Sequence, residues 1–275
     1  MSYLPGTNII TIGNQKGGVG KTTTVVNLAA ALARQDARVL VIDTDSQGNC
    51  SSILLKDREL LKTNLLVDAL YASSEPNPLS SRACGTFHPA LKIIPSASRS
   101  MIWEREVANR PEAVQGLRQL IEHDQGLAKY DYILIDTPPT LGVMLNNALM
   151  ASDFVIIPVP PNDQFALDGL VTFFNLISNI RKHNNKLKLL GILFTMYDPS
   201  RAVSVENIEK IENYFFKLKI NICDVKIHNC PEVDLAHMKR LTLFETNDML
   251  QCADEYDRLA GKLSRKLRHI RKNAE

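Results

Sequence analysis

The chain has few of the features that would set it apart from ordinary globular proteins, and each absence excludes something. No apolar stretch approaches the roughly 20 residues needed to span a bilayer; runs such as Phe154-Val-Ile-Ile-Pro-Val159 are far shorter. The first residues, Met-Ser-Tyr-Leu-Pro-Gly-Thr-Asn, carry no basic segment followed by an apolar core and a small-residue cleavage site. No secretory leader is therefore expected, and the expected location is the cytoplasm. Cysteines stand only at positions 50, 84, 223, 230 and 252, an odd number at irregular spacing. That pattern suits neither a disulfide framework nor a zinc site, so reduced structural thiols are expected. There is no internal repeat or low-complexity linker. The one Pro/Ser-rich stretch, Ser73-Ser-Glu-Pro-Asn-Pro-Leu-Ser-Ser81, reads as a loop within a domain rather than a boundary.

What is present is a 275-residue chain that is 45% hydrophobic and 23% charged, enough to build a sizeable core. Its formal net charge of +2 hides an asymmetry. From Arg258 to the end there are seven Lys/Arg and one Glu, whereas the preceding 257 residues hold 25 Lys/Arg against 29 Asp/Glu. A basic terminus of this kind suits an anionic partner, either nucleic acid or a membrane surface.

Apolar runs alternate with amphipathic patterns throughout. Strands are predicted over 9–12, 38–42, 91–94, 132–135, 154–159 and 189–194, with a further strand over 222–227. Helices are predicted over Lys21–Arg34, 140–150, 164–182 and 203–218, across a helix-rich stretch from 99 to 123, and from about 250 to 272. The strands are nearly continuous in apolar residues instead of alternating, as expected for a parallel sheet covered on both faces. The predicted fold class is α/β: a single doubly wound, mostly parallel sheet with helices on both sides, in one domain spanning the chain.

The first strand runs into Asn14-Gln-Lys-Gly-Gly-Val-Gly-Lys-Thr-Thr-Thr24 and then a helix. A phosphate cradle needs this order: a strand end, a glycine-rich turn whose N–H groups point inward without Cβ obstruction, and a helix N-terminus to face the anion. The turn Lys16, Gly17, Gly18, Val19, Gly20, Lys21, Thr22 and Thr23 is thus a candidate nucleotide site. Lys21 is placed to reach the β/γ-phosphates of ATP and the Thr22 hydroxyl to hold Mg2+. Two acidic segments follow strand ends, where ligands bind in open parallel sheets: Asp43-Thr-Asp45 and Asp136-Thr-Pro-Pro139. Asp136 is a candidate for the Mg2+ shell, Asp45 for orienting or deprotonating the attacking water, and Asp43 for supporting metal or lysine.

The strict phosphate-loop pattern asks for Gly at position 15, where this chain has Gln15 followed by Lys16. Lys-Gly-Gly-Val-Gly-Lys-Thr resembles the deviant Walker A motif of the ParA/MinD superfamily. The resemblance implies a nucleotide-sandwich homodimer in which Lys16 reaches the partner's ATP; a second loop cation is also what transferred-phosphate charge calls for. Asp43-Thr-Asp-Ser-Gln-Gly-Asn49, Tyr130-Asp-Tyr-Ile-Leu-Ile-Asp-Thr-Pro-Pro-Thr-Leu-Gly142 and Ala166-Leu-Asp-Gly-Leu170 are similar to blocks of the ParA/Soj partition ATPases. This similarity implies an ATP-switched dimer that binds DNA without sequence preference and is stimulated by a ParB-like, centromere-binding partner. Ser46 stands where that family usually has proline. The stretch Lys226-Ile-His-Asn-Cys-Pro-Glu-Val-Asp-Leu-Ala-His-Met-Lys-Arg-Leu241 lacks the family's arginines, which leaves Lys239 and Arg240 as the cations nearest to hand.

Candidate DNA contacts are Arg258, Lys262, Arg265, Lys266, Arg268 and Lys272, recurring at three- or four-residue steps, with Arg201 as a second locus. Leu259, Leu263, Leu267 and Ile270 form a different stripe of the same helix. The competing reading is a MinD-like, membrane-associated spatial regulator or cargo-positioning ATPase, because a basic amphipathic helix also binds lipid surfaces. A relative of the nitrogenase iron protein would need cluster cysteines that the spacing does not supply. Trp103, alone at helical spacing, reads as core, and its neighbourhood is the one region left for a partner.

Overall fold

The computed structural model describes residues 4–72, 78–162, 166–218, 220–246 and 249–273. The order is β1 (Asn8–Ile12), α1 (Lys21–Arg34), β2 (Val39–Asp43), α2 (Asn49–Leu54), α3 (Leu66–Tyr71), β3 (Cys84–Gly85), β4 (Leu91–Ile94), α4 (Arg99–Val107), α5 (Gly116–His123), β5 (Tyr132–Asp136) and α6 (Val143–Ala151). Then come β6 (Phe154–Val159), α7 (Ala166–Ile180), β7 (Lys188–Phe194), α8 (Ala202–Lys217), α9 (Glu232–Lys239), α10 (Leu243–Thr246) and α11 (Gln251–Lys272). The seven strands form one sheet in the order β3-β4-β2-β5-β1-β6-β7, parallel except for the two-residue β3 at one edge.

Strands β1, β2, β5 and β6 are buried along their whole length, as their apolar runs require. Successive side chains serve opposite faces. Ile10, Ile12, Val39, Val41 and Leu134 pack under α1, α2 and α11. Ile9, Leu40, Ile42, Ile133 and Ile135 meet α3 to α6, and Val155, Ile157 and Val159 meet α7 and α8. Helix α1 is rich in Ala and is buried nearly throughout, packed in one core with the strands and α11.

Three expectations change. The strand predicted over 222–227 does not form: the chain follows the β7 edge but bonds to it only near its two ends, at Cys223 N to Ile192 O (2.8 Å) and Ile227 N to Phe194 O (2.8 Å). It lies so close to β7 that a Cβ on Gly191 would sit 3.0 Å from Cys223 Sγ. This segment covers the edge instead of extending the sheet. Second, Cys230 and Cys252 are joined as a disulfide with Cα atoms 6.4 Å apart, leaving Cys50, Cys84 and Cys223 free. The pairing was hidden because the chain folds back over 22 residues to bring the start of α11 beside the start of α9. Third, α2 and α9 lie in segments for which no helix was expected. The loop expected at 73–81 falls mostly outside the described residues, as does the start of the helix expected from 164. Among the described residues, no helix is long and apolar enough to cross a membrane.

Candidate functional site

The chain leaves β1 through Gly13, where a Cβ would come 3.0 Å from Phe173 Cζ, so a side chain there would have to push that ring of α7 aside. Asn14 then ties the loop down: its Nδ2 donates to Pro158 O (2.8 Å), and its Oδ1 accepts from Lys16 N (3.1 Å). Thr195 Oγ1 donates to Val19 O at 3.0 Å, pinning the middle of the loop to the end of β7. Gly18 and Gly20 adopt φ of 70° and 81°, in the left-handed region that glycine alone visits cheaply, and nothing lies within 4 Å of where a Gly18 Cβ would be. Helix α1 has no side-chain cap and no acid in its first turn. Its first N–H groups and the positive end of its dipole are therefore directed at the loop, an arrangement that favours an anion.

A cleft of about 490 Å3 opens here. Gly17, Gly18, Gly20, Lys21, Thr22 and Thr23 form one wall, and Asp45, Gln47 and Asn49 from the loop after β2 form another. Thr137 and Pro139 close the side after β5, while Met196 and His237 stand at the remaining end. Lys21 is only 6% exposed, and its Nζ donates to Lys16 O at 2.7 Å, so the amine lies folded against the loop. Burial lowers its pKa, an effect that the charges of Asp136 and Asp45 partly offset.

Thr22 Oγ1 donates to Asp136 Oδ2 at 2.8 Å, joining the loop to the end of β5. Asp136 and Asp43 are neighbours in register on the central strands and both fully buried. Desolvation raises both pKa values, Asp43 to about 6 and Asp136 well above its ordinary value, with mutual repulsion adding to Asp136. Buried carboxylates held this way are short of positive charge, and a cation at the cleft floor fits them. Among the described residues, no group of three or more His, Cys, Asp or Glu forms a ready-made metal cage. Magnesium needs none, since phosphate oxygens and water supply most of its shell. Asp43 itself is occupied by its own loop: Oδ1 accepts from Asp45 N (3.0 Å), and Oδ2 from Ser51 N (2.9 Å) and Ser51 Oγ (2.6 Å). It fixes the path of 44–51, and so the placement of Asp45, from behind the cleft.

Lys16 is exposed and does not line its own chain's cleft, and Val19 is buried beneath the loop. Sequence reading missed Met196 and His237. Met196 has φ of 52°, unusual for a non-glycine residue, and His237 Nε2 is buried without a hydrogen-bond partner. Lys239 and Arg240 are exposed, and neither borders the cleft; His237 occupies that end instead.

The basic helix divides its charges. Leu259, Leu263 and Leu267 are buried, with Ile270 partly buried against the same core. Lys262 pairs with Asp224 (3.2 Å), Lys266 donates to Leu190 O (2.7 Å), and Arg258 lies 3.8 Å from Asp254. Arg265, Arg268 and Lys272 are exposed and carry no ion pair among the described residues. Helix α11 starts at the cleft end, where Tyr256 Oη and Thr24 Oγ1 are 3.3 Å apart, and finishes at the opposite end of the sheet, where Arg271 donates to Gly6 O. Arg201, exposed at the N-cap of α8, stands apart from those last turns, at the cleft end.

A parallel doubly wound sheet, a glycine loop leading into a bare helix N-terminus and a buried lysine beside two strand-end aspartates define a nucleotide-binding protein of the P-loop class. Comparison with known proteins narrows the class. The AAA domain family model matches residues 7–189. The chain is 37% identical over 208 residues to the chromosome partitioning protein ParA of Caulobacter vibrioides, covering 75% of this chain and 76% of that protein. It is 38% identical over 221 residues to the sporulation initiation inhibitor protein Soj of Bacillus subtilis, covering 75% and 79%. Among solved structures, cobyrinic acid a,c-diamide synthase from Mycobacterium smegmatis with a bound ATP analog and magnesium superposes with a TM-score of 0.77 at 28% identity, over 95% of this chain and 96% of that one. The chain belongs to the ParA/Soj family of partition ATPases.

Proposed function

We propose that the protein is a DNA-partition ATPase, acting as a single domain whose ATP-bound form is a sandwich homodimer that binds DNA without sequence preference. The observation that carries the reading is the cleft itself: Lys21, Thr22 and Asp45 converge on one volume, while Lys16 stands outside it on an exposed rim. On that rim Lys16 would face the site of a second copy.

Bound ATP with Mg2+ supplies the phosphoanhydride bond to be cleaved and the charge that counters the phosphates. The chain's residues hold and orient. Backbone N–H groups of 17–23 and Lys21 bind the phosphates, Thr22 with Asp136 holds the magnesium shell, and Asp43 supports the metal site indirectly by fixing its loop. Asp45 orients the attacking water and can take its proton, and Lys16 of the facing protomer neutralises charge developing on the transferred group. Met196 and His237 take the base end, where the orphan Nε2 has a hydrogen bond to gain. DNA phosphates meet the outer face of α11 through Arg265, Arg268 and Lys272. Lys262, Lys266 and Arg258 contribute less because they already have partners, and Arg201 adds a contact at the cleft end. A ParB-like protein stimulates hydrolysis and so releases DNA.

The burial of the leucine stripe in α11 weighs against the membrane reading, because a helix that lies in a lipid interface needs that stripe for the acyl boundary. The test is DNA retardation with ATP, ADP or no nucleotide across a salt series, run beside liposome sedimentation. Retardation with ATP alone, lost as salt rises, is expected. Arg265→Ala with Arg268→Ala should reduce the salt slope by about 2, and Lys262→Ala by less than about 1. Sedimentation with anionic liposomes and no DNA retardation would overturn the DNA assignment.

A further inference from the structure

Helix α6 begins without a cap of its own: Gly142 at its N-cap has no side chain to offer. The missing acceptor comes from another helix. Glu104 of α4 accepts from Met144 N through Oε1 at 3.1 Å, a carboxylate placed on a helix N-terminus 40 residues away in sequence. The contact is close, since a Cβ built on Gly142 would stand 3.3 Å from the same oxygen. Glu104 is partly buried, and that burial, with the charge of Asp45 adding to it, raises its pKa. Its neighbours on α4 are anchored: Trp103 and Val107 lie in the core, and Glu106 accepts from Tyr71 Oη at 2.7 Å.

The segment Glu104 holds is the one that leads out of the nucleotide cleft. At its near end, Thr137 Oγ1 donates to Ile12 O (2.9 Å) and Thr137 N to Asp136 Oδ1 (3.1 Å). Thr137 and Pro139 line the cleft, and Pro139 packs beside Gly17 of the phosphate loop, 3.7 Å from where a Gly17 Cβ would be. At its far end, Gly142 N donates to Thr140 O (3.0 Å), and α6 starts under Glu104. Residues 137–142 are thus held at two points, by the sheet at Asp136 and by α4 at Glu104.

We propose that Glu104 is a positioning residue for ATP hydrolysis: by fixing the start of α6 it sets the path of 137–142 along the cleft, and with it the geometry around the attacked phosphate. The proposal rests on the ATPase reading. Glu104 touches neither nucleotide nor water in it; its effect runs through the loop, so it acts on turnover rather than on affinity. A second consequence follows for α4, whose Met101 and Ile102 are 37% and 55% exposed, as is Leu141 at 56% on the loop itself. A load on that exposed face has the Glu104–Met144 contact as one path to the cleft, beside the core packing of Trp103 and Val107 against α6.

The experiment is steady-state hydrolysis and equilibrium ATP binding on the full chain. Wild type, Glu104→Ala, Glu104→Gln, Gly142→Ala and the Glu104→Ala/Gly142→Ala double variant are compared, each checked by thermal melting. Glu104→Ala should lower kcat on the order of tenfold, with ATP affinity changed less than about twofold, the pattern of a misplaced reacting geometry. Glu104→Gln keeps an acceptor for Met144 N and should stay within about twofold of wild type. Gly142→Ala crowds the carboxylate and should lower kcat, and it should add nothing in the Glu104→Ala background, because the two changes break one contact. Should Glu104→Ala fail to fold, Glu104→Gln and Gly142→Ala carry the test together, since the first keeps the contact with Met144 N and the second crowds it. Unchanged kcat in the alanine variants, loss of affinity in proportion to kcat, or a glutamine variant as slow as the alanine one would overturn the positioning role while leaving the ATPase intact. A wild-type chain that neither binds nor hydrolyses ATP would overturn the ATPase reading and the proposal together.

Discussion

The loop at 13–24 and the segment at 220–246 border the same cleft, yet they reach it by different means. The loop is held by local chemistry: two left-handed glycines, an uncapped helix and a lysine folded over them, all within a dozen residues of one strand. The later segment arrives by a long return. It runs along β7, is joined to α11 through Cys230 and Cys252, and is fastened to α1 where Leu243 N donates to Asn27 Oδ1 at 2.9 Å. Phosphate binding asks for backbone N–H groups and fixed charge, which a short motif can encode. A pocket end for a base asks for shape, which distant residues must assemble.

If the phosphate end dominates binding, Lys21→Ala should reduce ATP affinity by more than about a hundredfold, measured by equilibrium titration with a fluorescent analog, because a desolvated cation against phosphate is among the strongest contacts available. A loss below about tenfold would remove the distinction between the two ends.

The buried carboxylates sharpen the comparison through pH. Asp43 has a folded-state pKa near 6 against an ordinary 3.8, so the folded chain holds a proton that the unfolded chain releases in that window. Stability from this group is therefore lost as pH rises through the window and stays lost above it. The melting temperature of Asp43→Asn minus that of wild type, both without nucleotide, should rise by a few degrees between about pH 4 and pH 7, on top of any constant offset from the altered Ser51 bonds. A flat or falling difference would mean that Asp43 is not destabilised by burial.

The smallest effect belongs to the other end. His237→Ala should weaken ATP binding about fivefold, the size of one hydrogen bond, and should cost little stability because Nε2 has no partner to lose. An effect equal to that of Lys21→Ala would reverse the ranking of the two regions.

The same contrast explains how much was legible beforehand. Helix Lys21–Arg34 and strands Leu91–Ile94 and Phe154–Val159 stand where the periodicity put them, since each is a buried run with clear punctuation at its ends. The fold class followed from those runs, and the motif pointed to the loop and to the aspartates at the ends of β2 and β5. Strand β3 is too short for any period, and its antiparallel pairing comes from the chain doubling back onto β4. Ile222 to Ile227 had the composition of a strand, but the segment is bonded to β7 only near its ends. His237, Met196 and the clamp from Glu104 to Met144 could not be read from spacing, because each depends on segments far apart in the chain. The division of charges on α11 depended likewise on Asp224 and Leu190, which no helical pattern reveals.

The most direct test of the central claim, a cleft completed by a second copy, is the mass in solution of Asp45→Ala by sedimentation equilibrium with and without ATP and Mg2+. Blocking hydrolysis should leave a dimer with ATP and a monomer without it, and adding Lys16→Ala should return the ATP-bound protein to monomer. A monomer under every condition, or a dimer indifferent to nucleotide and to Lys16, would contradict it.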